Sequence, residues 1–249
     1  RGGLTGTMRF GYGIGMLLPI LIGIRFFCKN ELRRKYLVLL NIAIAFAILG
    51  LILTETRGGL ISMIAGAITL AFFMNESVRK KIFWVTAFLV FTILSINVAI
   101  EGGNLKKLQN GGYFRGLDEG TRFSIYQSAL CAIKERPLTG WGFYQLGPNM
   151  RDIKLRHGIS NPDGPSSHAH NILLEIGADF GVLGLISLIC WIGFWISELI
   201  AKGGLSLKLG LPFVVAMVVG GQFEYVLDAN NSIMIFTIYG ISTSSAMDT

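Results

Sequence analysis

The chain has 249 residues, 52% hydrophobic and only 15% charged, with a mean hydropathy of +0.57, whereas soluble domains carry roughly 25% charged residues. This composition excludes an ordinary water-soluble domain and points to a membrane protein. The formal charge of +7 does not indicate nucleic-acid binding, because the basic residues are divided among short loops and one long polar segment and form no tract interleaved with aromatics.

A spanning helix needs about 20 mainly apolar residues, and seven stretches are candidates: 10–27, 36–53, 59–74, 82–100, 180–197, 205–221 and 232–246. The expected fold is therefore an all-α polytopic membrane protein. It has about seven transmembrane helices and one large loop that contains an amphipathic helix. The expected organisation is helices one to four in residues 1–100, the loop in 101–170, and helices five to seven in 171–249. Arg1 opens the chain with no signal-peptide pattern before the first apolar run, as expected of a piece of a longer protein. Cys28, Cys131 and Cys190 imply no intramolecular disulfide framework.

Alternate short connections are basic: Lys29, Arg33, Arg34 and Lys35, then Arg79, Lys80 and Lys81, then Lys202 and Lys208. The positive-inside rule assigns these to the cytoplasm. Arg57, residues 101–170 and residues 222–231, whose acidic residues are Glu224 and Asp228, then face outward. The long outward loop carries nine basic against six acidic residues, which such loops tolerate. Within it Phe123, Tyr126, Leu130 and Ile133 recur at helical spacing, which predicts an amphipathic helix from Thr121 to Glu135 that lies on the membrane or caps the bundle. Pro137 ends that pattern. The strings P-L-T-G-W-G-F (137–143) and N-P-D-G-P-S-S (161–167) read as turn-rich connectors.

The stretch Ser166 to Gly184, S-S-H-A-H-N-I-L-L-E-I-G-A-D-F-G-V-L-G, sets His168, His170 and Asn171 in the last polar positions before the apolar run from Phe180. Histidine can accept or release a proton near neutral pH, so a base at the membrane boundary is one reading. An interfacial hydrogen-bonding residue is the other. Of the pair, His170 lies nearer the apolar run, and His168, two residues earlier, is expected to point elsewhere. Arg57, in T-E-T-R-G-G-L-I, stands where the second and third apolar runs meet; it is either a ligand-binding cation or a snorkelling interfacial one. Gly58 and Gly59 beside it suit a bound ligand or a tight helix pair. Arg122 opens the amphipathic helix, where a cation opposes the helix dipole unless an anion is bound nearby, or else is simply solvated.

His157, His168 and His170 are all the histidines in the chain. An H-x-H pair with a third ligand can hold zinc, but no H-E-x-x-H helix or cysteine cluster accompanies it, so no metal is expected. The serines before His168 lack the strand-turn-helix elbow of a nucleophile, and no P-loop is present.

The run His170-Asn171, nine residues, Gly181, two residues, Gly184 resembles the H-N-x9-G-x-x-G signature of the O-antigen ligase and polymerase superfamily. T-E-T-R-G-G-L, T-R-F-S-I-Y-Q-S-A-L and P-L-T-G-W-G-F resemble its other landmarks in the same order, over most of the chain from residue 36 onward. The resemblance implies a glycosyltransferase of the bacterial inner membrane with its site on the periplasmic side. It would move a glycan from undecaprenyl diphosphate to a lipid A core hydroxyl or, as a polymerase, to a growing glycan. By the same resemblance His170 is the catalytic base, Arg57 and Arg122 grip the diphosphate, His168 and Asn171 support them, and neither metal nor other cofactor takes part. Two departures stand out. Ile61 occupies a position where ligases often carry Leu, and seven spans are visible where the family has about a dozen, as an N-terminal truncation would give.

A transporter fits less well, because the runs 36–53, 60–74, 82–100, 180–197 and 209–221 contain no Lys or Arg and only Asn41 and Asn97 as amides. A purely structural scaffold would not need Arg57, Arg122 and His170 on one side. The topology is tested directly: in a background without the native cysteines, Asn110→Cys should react with a membrane-impermeant thiol reagent in intact spheroplasts. Labelling only after lysis would overturn it.

Overall fold

The computed structural model describes residues 3–54, 56–74, 80, 119–162 and 168–244. Among them the regular structure is entirely helical. The helices are α1 (Gly3–Phe27), α2 (Arg34–Leu53), α3 (Arg57–Phe72), α4 (Glu119–Glu135), α5 (Leu146–Arg156), α6 (Ile172–Lys202), α7 (Gly204–Gly220) and α8 (Ala229–Thr243).

Six of the seven expected spans coincide with helices, and the seventh, 82–100, lies outside the described residues. Three helical segments are long and apolar enough to cross a membrane: Arg9–Phe27, Arg34–Leu53 and Ile172–Lys202. The others, α3, α7 and α8, have 16, 17 and 15 residues, short of the roughly 20 that cross the hydrocarbon unaided. The apolar surface is consistent with lipid around the longer helices. In α2, Leu39, Phe46 and Leu53 are 60%, 69% and 72% exposed, an apolar face too extensive to leave in water.

The chain forms two compact units. The first holds residues 1–99, 193–220 and 226–249. Within it α1, α3 and α7 pack on one another, through small residues that let backbones approach. A side chain at Gly59 would meet the Gly11 carbonyl at 2.6 Å, and one at Gly66 would meet the Pro212 carbonyl at 2.9 Å. Ser62 Oγ donates to the Ala216 carbonyl at 2.6 Å in the buried seam between α3 and α7. The glycine pair after Arg57 thus serves helix packing, since Gly58 is closed off by Tyr12 of α1. In the same unit Trp195 of α6 donates to Ser242 Oγ of α8 at 3.0 Å.

The second unit holds residues 100–192 and 221–225. Its described core joins Ile125, Ala129 and Ala132 of α4 with Leu146, Met150 and Ile153 of α5, Ala169, and Ala178 of α6. Helix α4 spans the amphipathic segment expected from the sequence, but the buried stripe is different. Ser124, Ile125, Ser128, Ala129 and Ala132 are buried, while Phe123 and Leu130 are exposed. Ile125 and small side chains make the buried stripe, Tyr126 and Ile133 pack partly buried against it, and Phe123 and Leu130 are left outward. Helix α5 has no counterpart among the sequence expectations. Its Lys154, counted above as a loop cation, is fully buried, with Nζ donating to the Asn161 carbonyl at 3.1 Å, and that burial lowers its pKa. Arg156 at the end of α5 makes a forked pair with Glu135 at the end of α4, the shortest contact being 2.9 Å.

Helix α6 begins at Ile172, eight residues before the expected span. Its first two turns carry Glu175 and Asp179, which interrupt the apolar pattern yet are buried. The helix breaks at Gly181, whose φ of 65° and ψ of −157° are open essentially to glycine alone. Backbone groups released by the break bond to the connector after α4. Trp141 N donates to Ala178 O at 2.9 Å, Gly142 N to Asp179 O at 2.8 Å, and Val182 N to Pro137 O at 2.7 Å. Asp179 completes the join by accepting from Tyr144 N at 2.8 Å and, at the start of α5, from Leu146 N at 3.3 Å. A side chain at Gly181 would meet the Leu138 backbone at 2.5 Å.

Gly181→Ala should therefore destabilise the protein by on the order of 3 kcal/mol. Gly193→Ala, in open space on the same helix, should be neutral or stabilising by up to about 1 kcal/mol. Thermal unfolding in detergent checks both; equal stability of the two variants would show that the break is not required.

Candidate active site

The second unit gathers His168, His170 and Asn171 where the chain enters α6, opposite the connection that follows α7. Two backbone and side-chain joins hold these segments together. Ile172 N donates to Gly221 O at 2.7 Å. The Asn171 amide donates to the Gln222 carbonyl at 3.2 Å and to Gln222 Oε1 at 3.3 Å. Asn171 Oδ1 meanwhile accepts from Leu173 N at 2.9 Å and Leu174 N at 3.1 Å. It satisfies donors in the first turn that have no partner within the helix. One side chain thus starts α6 and pins the Gln222 segment beside the histidines.

Glu224, on that segment, is 7% exposed. Its Oε2 lies 3.0 Å from His170 Nδ1, and its Oε1 is hydrogen-bonded to His168 Nε2. Oε1 also accepts from Tyr225 N at 3.1 Å. Burial alone would raise the Glu224 carboxyl, but hydrogen bonds from His168 and His170, reinforced by their charges, outweigh burial and hold it well below the usual carboxylate range. An ionised carboxylate only accepts, so both imidazoles donate to it. His168 then donates from Nε2 and His170 from Nδ1, so that in the neutral form of His170 the proton-accepting nitrogen is Nε2.

The two rings lie 4.1 Å apart, centroid to centroid, contrary to the expectation that His168 points elsewhere. Ala169 between them is fully buried in the core, and its N–H donates to Glu175 Oε2 at 2.5 Å. With Ala169 turned inward, both neighbours project to the opposite side. The backbone at His170 is left-handed, φ 50°, neither helical nor extended. That conformation costs a side-chain-bearing residue roughly 1–2 kcal/mol, and the surrounding hydrogen bonds hold it in place.

Of the remaining sequence-derived residues, Arg122 lies in the first turn of α4, half-buried, in the same unit; Arg57 is the first residue of α3, exposed, in the other unit. Neither guanidinium forms an ion pair among the described residues. Helix α3 has no side-chain cap at its N-terminus either, so its first N–H groups leave the partial positive charge of an uncapped helix end beside Arg57. His157 pairs at the surface with Glu135, Nε2 to Oε1 at 2.7 Å, and takes no part in the cluster. The residue missed by sequence reasoning is Glu224. A carboxylate in a short outward connection between apolar runs was the available signal, but only folding brings it to residues more than fifty positions away.

The family model that matches the chain, over residues 42–189, is described as O-antigen ligase. The match takes in Arg57, Arg122, His168, His170 and both glycines of the G-x-x-G pattern, and stops short of Glu224. No curated protein matches the chain.

The cap at Asn171 makes a prediction about stability rather than chemistry. Asn171→Ala should cost about 1–2 kcal/mol in thermal unfolding. Asn171→Asp, which keeps the acceptor but not the donation to Gln222, should fall between the alanine variant and the native protein. Native stability of the alanine variant would remove Asn171 from this role.

Proposed function

The chain belongs to the O-antigen ligase family, and from that membership we propose that it transfers a glycan from undecaprenyl diphosphate to a sugar hydroxyl at the periplasmic face of the bacterial inner membrane. The acceptor in the ligase reaction is the lipid A core; joining of repeat units, the polymerase reaction, uses the same chemistry on a different acceptor. The observation that carries the reading is the carboxylate on His170 Nδ1 at 3.0 Å. Such a contact fixes the tautomer in which Nε2 takes a proton, and the carboxylate then stabilises the imidazolium that forms.

In this reading the acceptor hydroxyl loses its proton to His170 Nε2 as its oxygen attacks the anomeric carbon. The bond from that carbon to the diphosphate oxygen breaks, and the negative charge grows on the leaving group. The residues that the family resemblance assigns to that charge are Arg57 and Arg122. A guanidinium grips phosphate oxygens with two parallel N–H groups and is most useful where charge develops in the transition state. That neither Arg is engaged by a described carboxylate supports the assignment. The reaction so written needs no metal. His168 and Glu224 hold the base in orientation, and Asn171 holds the segment that carries it.

Glycan transfer by purified protein from a lipid diphosphate donor tests the proposal. General-base catalysis contributes roughly 100-fold to 10,000-fold, so His170→Ala should lose at least the lower figure with normal expression. His168→Ala, which removes the partner on the other oxygen of Glu224, should lose far less. Arg57→Lys and Arg122→Lys keep charge but not the planar fork, and each should lose much of the activity. Equal losses in the two histidine variants would overturn the single base, and native turnover and donor affinity in both lysine variants would overturn the diphosphate grip.

A further inference from the structure

We propose that His168, His170 and Glu224 form a binding site for a divalent metal of the zinc class, and that metal bound there switches the base off. The second half rests on the reading of His170 as the base; the first does not.

One ligand atom from each of the three residues lies within 4.8 Å of the others, and the Glu224 oxygens meet His168 Nε2 and His170 Nδ1. Zinc takes imidazole nitrogen and carboxylate oxygen at roughly 2.0–2.2 Å in a tetrahedron, which sets neighbouring ligand atoms about 3.3 Å apart. His170 Nδ1 and Glu224 Oε2 are already 3.0 Å apart. Exchanging the shared protons for one cation therefore needs the His170–Glu224 pair to open slightly and pairs nearer the 4.8 Å bound to close to about 3.3 Å.

The backbone that carries the ligands is held in advance. Ala169 is locked in the core between the two histidines, and the Ile172 N to Gly221 O bond of 2.7 Å ties their segment to that of Glu224. Two imidazoles and one carboxylate are a borderline donor set that favours zinc over magnesium or calcium. Three protein ligands leave the fourth position to water.

The consequence for chemistry follows from the tautomers. In the hydrogen-bonded cluster His170 carries its proton on Nδ1 and keeps Nε2 free. A metal on Nδ1 displaces that proton, and a neutral ring then carries it on Nε2. The atom that should accept the hydroxyl proton becomes a donor. The metal likewise displaces the proton from His168 Nε2, a nitrogen that the proton transfer does not use.

The test is direct zinc binding to the detergent-purified full chain after EDTA treatment, read by competition with a chromophoric zinc chelator. One equivalent per chain is expected, with no competition from equimolar magnesium. His168→Ala and Glu224→Asp should each weaken binding at least about 10-fold, the loss seen on disturbing even an outer partner of a metal site. His157→Ala should leave binding unchanged. Each variant is first checked for native helical circular dichroism and a monodisperse elution profile, and Glu224→Gln replaces Glu224→Asp should the latter not fold.

In the transfer assay, saturating zinc should suppress the native protein and excess EDTA should restore it, while the same zinc should suppress the residual rate of His168→Ala less. Absent binding, or binding that neither variant weakens, overturns the metal site whatever His170 does. Site-specific binding without inhibition overturns the switch. Activation by zinc, reversed by EDTA, overturns the switch and the metal-free base together. Loss of transfer in His170→Ala tests the base independently of zinc.

Discussion

A helix that cannot continue through Gly181 must hand its backbone groups to something else, and the organisation of the second unit depends on that transfer. The connector from Pro137 to Gly142 takes them, and the Asp179 carboxylate caps the start of α5 from α6. The break thereby fastens α4, α5 and the first half of α6 into one hydrogen-bonded framework. Both the G-x-x-G pattern and the P-L-T-G-W-G-F string acquire a physical meaning from it: glycine occupies backbone conformations or close approaches that a Cβ would forbid. The histidines sit at the fixed end of this framework and not in a free loop.

The site itself is built on an economy of charge. One largely buried carboxylate serves two imidazoles, and its three described hydrogen bonds offset the desolvation that burial imposes. The same arrangement fixes which nitrogen of each ring meets the carboxylate. That choice decides whether His170 is a base or a donor, and it is made by Glu224, a residue outside the segment that the family model covers. Asn171 contributes through geometry. By capping α6 and holding Gln222, it fixes the distance between the histidines and the carboxylate.

Packing in the first unit follows a different rule. Helices α1, α3 and α7 meet through glycine, serine and alanine, as expected where lipid supplies no hydrophobic driving force between helices and close backbone approach must supply the attraction. Large apolar side chains such as Leu18, Leu70 and Phe213 fill the space beside these close approaches, whereas on α2 many large ones are left exposed. On α4 the expected stripe is half right: Tyr126 and Ile133 pack on the core, while Phe123 and Leu130 are exposed and Ser124, Ser128, Ala129 and Ala132 are buried in their place, small residues that a pattern of large side chains does not pick out.

The order of apolar runs, the amphipathic segment and the motif around His170 were legible in the sequence because each depends on local composition and spacing, which a one-dimensional pattern carries. The start of α6 was not, because Glu175 and Asp179 interrupt the apolar run and only tertiary partners make their burial tolerable. Helix α5 was not, because its strong polarity conceals a buried face that includes Lys154. The convergence of His168 on His170 depends on an inward Ala169 and a left-handed backbone at His170, neither of which a helical or extended template contains. Glu224 joined the site only through folding: an ionised carboxylate in a short connection has no local signature of its partners, and the contact that gives it a role spans more than fifty residues of chain.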